Sequence, residues 1–214
     1  MEHKQHINSD LSLILKNKKI TPGKKKVLLS SINLFSKYGF NGVSTSEIAR
    51  HANVSEATIY KYFTNKKALL MEIITPIIEN CLPVYENMFA GSLDKGNFKL
   101  KDLVHYIVDD RIKFLKTNKE IISILLSEMI INDEVRELLI NNLDNSHVKN
   151  AEKILQVFIR TNELASDITY NSLLRIIMGQ LLIYFTQIYL FKSEYIEQQH
   201  LEQQIYRSLK RKEG

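Results

Sequence analysis

The sequence predicts an all-α protein, and three observations carry that expectation. Glycine (7) and proline (3) are scarce among 214 residues. Apolar residues recur at three- and four-residue spacing along most of the chain, with no alternating strand pattern. Side chains suited to starting helices recur through the first third. Apolar types make up 44% of the chain, enough for a sizeable core. There is no internal repeat and no low-complexity tract.

Residues 1–20 read as an irregular basic arm with one helical turn at Leu11–Leu15. Thr21 can cap the first helix, and Pro22 at its first position gives up an N–H that has no partner there. Leu28, Ile32 and Phe35 keep helical spacing, until Gly39 supplies a stop and Phe40 can fold back on it. Ser44 and Glu47 have the spacing of a capping box, opening a short helix with Ile48, Ala49 and Ala52 inside and Asn53 at its end. Ser55 caps a third helix running to about Phe63, and Asn65 a fourth beginning at Lys66. Pro76 and Pro83 should kink or interrupt that fourth helix. Beyond it, polar breaks near 91–97, 117–119, 132–133, 161–167 and 192–194 leave about five more helices. No Gly/Ser linker appears, so the division predicted is an arm (1–20), a three-helix head (21–67) and a larger helical body (68–214).

Charge is unevenly placed. Residues 1–75 hold twelve basic and five acidic side chains, and residues 76–214 hold seventeen and nineteen. A basic excess confined to one end suits an anionic polymer or surface, although a lysine-rich solvated surface would look the same. Cys81 is the lone cysteine, so no intramolecular disulfide can form, which fits a reducing cytoplasm. "DLSLILK" is too short for a signal sequence. The oiliest stretch, Ile176–Phe191, contains Gln180, Thr186 and Gln187 and reads as a buried helix, not a membrane span. No Gly-rich phosphate loop, nucleophile elbow or H-E-x-x-H occurs, so the expectation is a protein that is not an enzyme and has no cofactor.

The second and third helices, joined by "ANVS", have helix-turn-helix length. At 100° per residue, Ile59 and Phe63 share the core side of the third helix with Ile48, Ala49 and Val54 behind them. Ala57, Thr58 and Lys61 lie opposite, and Tyr60 and Tyr62 occupy the flanks. That face suits a DNA major groove. Small Ala57 permits close approach, Thr58 can touch a base edge, Lys61 can reach a base or a phosphate, and the tyrosine hydroxyls can reach the groove walls. Ser44, Thr45 and Lys66 stand at helix starts, where free N–H groups favour phosphate. Ser44 and Ser55 are caps first and DNA contacts second. Glu56 is the awkward residue, a carboxylate near the DNA backbone unless it accepts from a cytosine or pairs with a lysine.

The run "INLFSKYGFNGVSTSEIARHANVSEATIYKYFTNKKALL" resembles the N-terminal domain of the tetracycline-repressor (TetR) family over about a quarter of the chain. The resemblance implies phosphate contacts from Thr45, Tyr60, Tyr62 and Lys66, with Glu56, Ala57, Thr58 and Lys61 at base-reading positions. It also implies a homodimer on a palindromic operator, usually as a repressor that a small ligand releases. An alternative within the same resemblance is a DNA-binding protein without an inducer that acts through a protein partner, of nucleoid-associated or cell-division type.

For the body the resemblance implies only a helical domain that dimerises through its last two helices, here about 169–191 and 194–212. The second carries a stripe of Ile196, Leu201, Ile205 and Leu209. Candidate pocket residues are Tyr85, Met88, Phe89, Tyr106, Phe114, Met129, Phe158, Met178 and Tyr184. Each is more often ordinary core. His105 and Asp109 share a helix face, but two ligands without a third do not make a metal site.

Overall fold

The structure is a computed structural model that describes residues 20–81, 87, 90–93, 98–142, 145–189, 191–193 and 197–211. The basic arm before Ile20 lies outside the described residues, as does Pro83. In chain order the α-helices are α1 (Pro22–Tyr38), α2 (Thr45–Ala52), α3 (Glu56–Tyr62), α4 (Lys66–Pro76), α5 (Leu100–Thr117), α6 (Lys119–Ile131), α7 (Asp133–Asn141), α8 (Asn145–Arg160), α9 (Tyr170–Tyr189) and α10 (Gln198–Leu209). A π-helical turn, Ile77–Cys81, follows α4. The chain divides into two compact units. The first combines α1–α4 with α6 and α7, and the second combines α5 with α8–α10.

Each helix of the head starts on a side-chain oxygen. Thr21, Ser44, Ser55 and Asn65 accept from the backbone N–H of Lys24, Glu47, Thr58 and Ala68. Each such cap is worth about 1 kcal/mol, which matters for helices of seven or eight residues that could not persist alone. The capping box at Ser44 and Glu47 is complete, with Ser44 N–H donating to Glu47 Oε2 at 2.7 Å. Gly39 ends α1 at φ 73°, a region L side chains rarely adopt, and donates to Phe35 O. The Phe40 ring then folds edge-on to Phe35, 5.4 Å between centroids. The helix is interrupted at Pro76, as expected. This proline is the last α-helical residue, and the winding loosens into the π turn directly after it.

Val27, Leu28, Ile32 and Phe35 of α1 are buried with Ile48, Ala49 and Ala52 of α2, Ile59 of α3, and Leu69, Leu70 and Ile73 of α4. Fully burying one such large side chain stabilises by about 1.5–3 kcal/mol. Because α1 buries Ser30 and Ser31 as well as its apolar stripe, it needs cover on more than one side. α6 supplies it, packing on α1 with Ile121, Ile124 and Leu125 buried. This contact between distant segments puts α6 and α7 with the head, although in sequence they fall within 68–214.

α6 also buries a carboxylate. Glu128 is 1% exposed, with Asn132 Nδ2 donating to its Oε2 at 3.4 Å. Burial raises its pKa. The Asn132 hydrogen bond and the positive charge of Lys66 pull the other way without cancelling it. A carboxyl whose folded pKa is raised costs stability above that pKa and costs nothing below its unfolded value. Glu128→Gln is therefore expected to raise Tm by a few degrees at neutral pH. The gain should shrink as pH falls toward the ordinary carboxylate range, as thermal melts across pH would show. A gain that persists at acid pH would mean the charge is not the cause.

In the second unit, Leu103, Val104, Ile107 and Val108 of α5 meet Val157 and Phe158 of α8, Leu173, Ile177 and Leu181 of α9, and Leu201, Ile205 and Leu209 of α10. The end of α10 is tied in by backbone pairing. Ala165 N–H donates to Leu209 O at 2.9 Å and Arg211 N–H to Glu163 O at 2.8 Å. Glu163 Oε1 also accepts from Leu100 N–H at the start of α5.

Three expectations are adjusted here. Besides the helical residues 87 and 90–93, six helices (α5–α10) follow α4, where about five were expected, because 133–160 divides into α7 and α8 at Asn142 without a glycine or proline. The α10 stripe faces its own unit: Leu201, Ile205 and Leu209 are all buried, and Ile196 lies outside the described residues. Conversely, α9 is not a wholly buried helix. Leu173, Ile177, Leu181 and Phe185 face inward, while Leu174, Met178, Leu182 and Ile183 are 44–55% exposed. By length and composition alone, Tyr170–Tyr189 could also cross a membrane.

Candidate nucleic-acid interface

Asn53 turns the chain between α2 and α3 at φ 52°, ψ 52°, a left-handed conformation that asparagine tolerates better than most residues. Val54 N–H donates to Ala49 O at 3.0 Å, closing the turn, with Val54 itself half-buried. Ile59 and Phe63 are buried, so the opposite face of α3 must point outward. Glu56, Ala57 and Lys61 are exposed there, and Tyr60 is 52% exposed. Thr58 is half-buried, its Oγ1 2.8 Å from Ser55 Oγ.

Several of these side chains hold one another. Thr45 Oγ1, at the start of α2, donates to Glu56 Oε1 and lies 3.1 Å from Tyr60 OH. Glu56 is thus partnered by a threonine and not by a lysine. Tyr62 OH accepts from Thr21 Oγ1 at 2.9 Å, laying the phenol across the start of α1. A side chain at position 23 would have its Cβ 3.1 Å from that hydroxyl, so Gly23 leaves room for it. Lys24 Nζ is paired with Glu72 of α4 at 3.0 Å and sits over the Phe63 ring.

Lys66 makes contacts within its own unit. Its Nζ donates to both Phe40 O and Val43 O at 2.8 Å and rests 4.3 Å from the Phe40 ring centroid. The ammonium therefore fastens the α1–α2 loop against the start of α4. Ser44 caps through its hydroxyl, as the spacing indicates, and its backbone N–H is the main reason the Glu47 carboxyl is held below its usual range. Nothing in the local pattern signals the reach of Thr21 to Tyr62 or of Lys66 to residues 40 and 43. Those pairings depend on how the helices pack.

The candidate pocket residues do not converge. Tyr85, Met88 and Phe89 lie outside the described residues. Met129 is exposed on α6 in the first unit. In the second unit, Phe114 and Phe158 are buried, Tyr106 OH donates to Ser92 Oγ at 3.1 Å, and Tyr184 is half-buried with its phenol pKa pushed up by burial. Of the six that are described, Met178 alone lines a half-open cavity of about 200 Å³ between α5, α8 and α9. Its other walls include Ile107, Ile154, Leu173 and Ile177, with Arg111 and Asn150 as polar members. Aliphatic walls of this kind look in sequence like any core. His105 Nδ1 is 3.0 Å from Glu202 Oε1 and Asp109 pairs with Lys113, so the two do not act together. Among the described residues no group of three or more metal-ligating side chains forms.

A family model described as "Bacterial regulatory proteins, tetR family" matches residues 27–73, covering α2, α3 and most of α1 and α4. Over residues 27–73 the chain is thus similar to the N-terminal domain of TetR-family regulators. The TetR-type head is similar in sequence to an uncharacterised HTH-type transcriptional regulator YvkB of Bacillus subtilis. The two are 33% identical over 88 residues, which is 39% of this chain and 47% of that one. It is also similar to the negative transcriptional regulator IcaR of the icaADBC biofilm operon in Staphylococcus aureus, at 24% identity over 86 residues, 40% of this chain and 44% of that one. The chain spans about half the length of the curated relatives it matches. Over most of the chain, the fold resembles that of the transcriptional regulator FadR from Bacillus subtilis, solved in complex with stearoyl-CoA. The TM-score is 0.57 at 16% identity, covering 85% of this chain and 95% of that one.

Proposed function

We propose that this chain is a transcriptional repressor that binds a palindromic operator as a homodimer and is released by a small apolar ligand. The observation that carries the DNA-binding part is the α3 face. Exposed Ala57, Lys61 and Tyr60 stand opposite buried Ile59 and Phe63, in the basic third of the chain, on a helix-turn-helix that matches the family. Ala57, Thr58 and Lys61 would meet base edges, while Ser44, Thr45, Ser55, Tyr60 and Tyr62 would meet the backbone on either side. Repression is the role named for the Staphylococcus aureus relative.

Dimerisation is assigned to α9, with α8 packed beside it, because Leu174, Met178 and Leu182 form an apolar stripe that water covers poorly. The opposite stripe of α9 belongs to the core of its own unit, and Gln180, Thr186 and Gln187 interrupt its apolar length. That pattern favours a twin subunit over lipid, with a cytoplasmic location to match. The cavity between α5, α8 and α9 would take the effector, and the stearoyl-CoA of the Bacillus subtilis neighbour supports one with an apolar chain.

The test is enrichment of duplexes by the purified chain from a random-sequence pool, followed by footprinting on the winner. The expected result is a palindrome whose half-sites are one helical turn apart. Enrichment of no sequence, or of a single unrepeated half-site, would defeat the proposal.

A further inference from the structure

Glu56 places a carboxylate on the surface that would face an anionic polymer. Its Oε1 accepts a hydrogen bond from the Thr45 hydroxyl. A hydroxyl has one proton to give, so Thr45 Oγ1 must receive the hydrogen bond that joins it to Tyr60 OH, 3.1 Å away. The order of donation is thereby fixed: Tyr60 gives to Thr45, and Thr45 gives to Glu56. A hydroxyl at the start of α2 and one in the last turn of α3 thus form a chain of donation that ends on one exposed carboxylate.

A DNA phosphate offers the same chemistry as that carboxylate. Both are anionic, both only accept hydrogen bonds, and both present paired oxygens to hydroxyl donors. We infer that Glu56 is an internal stand-in for a DNA backbone phosphate, which keeps the Thr45 and Tyr60 hydroxyls aimed in the free protein and yields them when a phosphate arrives. The inference rests on the DNA-binding reading above and gives Glu56 a positioning role instead of a base-reading one. Because the phosphate must displace a like charge, Glu56 lowers affinity for every sequence in the same proportion. It leaves the preference among sequences to Ala57, Thr58 and Lys61.

Glu56→Gln tests this, since glutamine keeps an oxygen for Thr45 but removes the charge. Binding by the full chain is measured by fluorescence anisotropy on an enriched duplex and on a scrambled duplex of the same composition. The expected result is tighter binding to both, by about three- to tenfold, with their ratio unchanged. Tyr60→Phe, which removes the first donor, is expected to weaken both in one proportion. It serves as the second measurement should Glu56→Gln not fold. Loss of affinity confined to the enriched duplex, with a changed preference at one base pair, would make Glu56 a base reader and overturn the inference. So would unchanged affinity on both duplexes. If the unmodified chain binds neither duplex, the DNA-binding reading itself has failed, a result distinct from any behaviour of the variants.

Discussion

Leu182→Asp is expected to convert the proposed dimer to a monomer and to weaken operator binding about 100-fold or more. Linking two heads makes the second half-site contact effectively intramolecular, and that advantage disappears when the subunits part. Leu182 is 44% exposed, one position along from Leu181 at 1%. The substitution therefore introduces its charge on the uncovered stripe and leaves the core of the second unit intact. Sedimentation would report the change of state, and anisotropy on a full palindrome and on a half-site would report the affinity. The loss should be large on the palindrome and small on the half-site. A variant that stays dimeric would remove α9 from the interface, and with it the reason for its exposed apolar face.

The second large effect is expected at Lys66. Its two hydrogen bonds to Phe40 O and Val43 O are made by a charged donor that is half-buried and lies over an aromatic ring. Lys66→Ala leaves two carbonyls without that partner and frees the loop that sets the start of α2. A destabilisation of roughly 2 kcal/mol is expected, seen as a fall in Tm of several degrees. DNA affinity should fall with it, because Ser44 and Thr45 follow Val43 directly in the chain. The informative measurement is the salt dependence. A residue that fastens a loop leaves the slope of log K against log salt in place, whereas loss of a phosphate contact lowers it by about 1. A reduced slope would return Lys66 to the backbone-contacting set.

The head was legible because its signals are local. Thr21, Ser44, Ser55 and Asn65 each declare a helix start within three residues, and Gly39 and Asn53 declare the ends. The inward turn of Ile59 and Phe63 followed from period alone. What sequence could not convey is contact between distant segments. Lys66 looks like one more lysine at a helix start, and only the packed loop shows its ammonium turned to residues 40 and 43. α6 sits more than 80 residues from α1 in the chain, yet covers it. The cavity was hard to anticipate for a related reason. Aromatics and methionines were favoured, whereas the cavity is walled mainly by isoleucines and leucines whose pattern is that of any core helix. The stripe on α10 looked available to a partner because periodicity reports that a face is apolar, not what covers it.

The way the head's helices begin has a practical consequence. The caps at Thr21, Ser44, Ser55 and Asn65 are uncharged side-chain oxygens meeting backbone N–H groups. Such bonds are nearly indifferent to dissolved ions, while the grip of lysines on a duplex falls steeply as counterions become plentiful. Ionic strength can thus separate letting go of DNA from loosening of the head. A moderate salt wash should free the protein from its duplex with its helices still in place, and lowering the salt should restore binding without any refolding step.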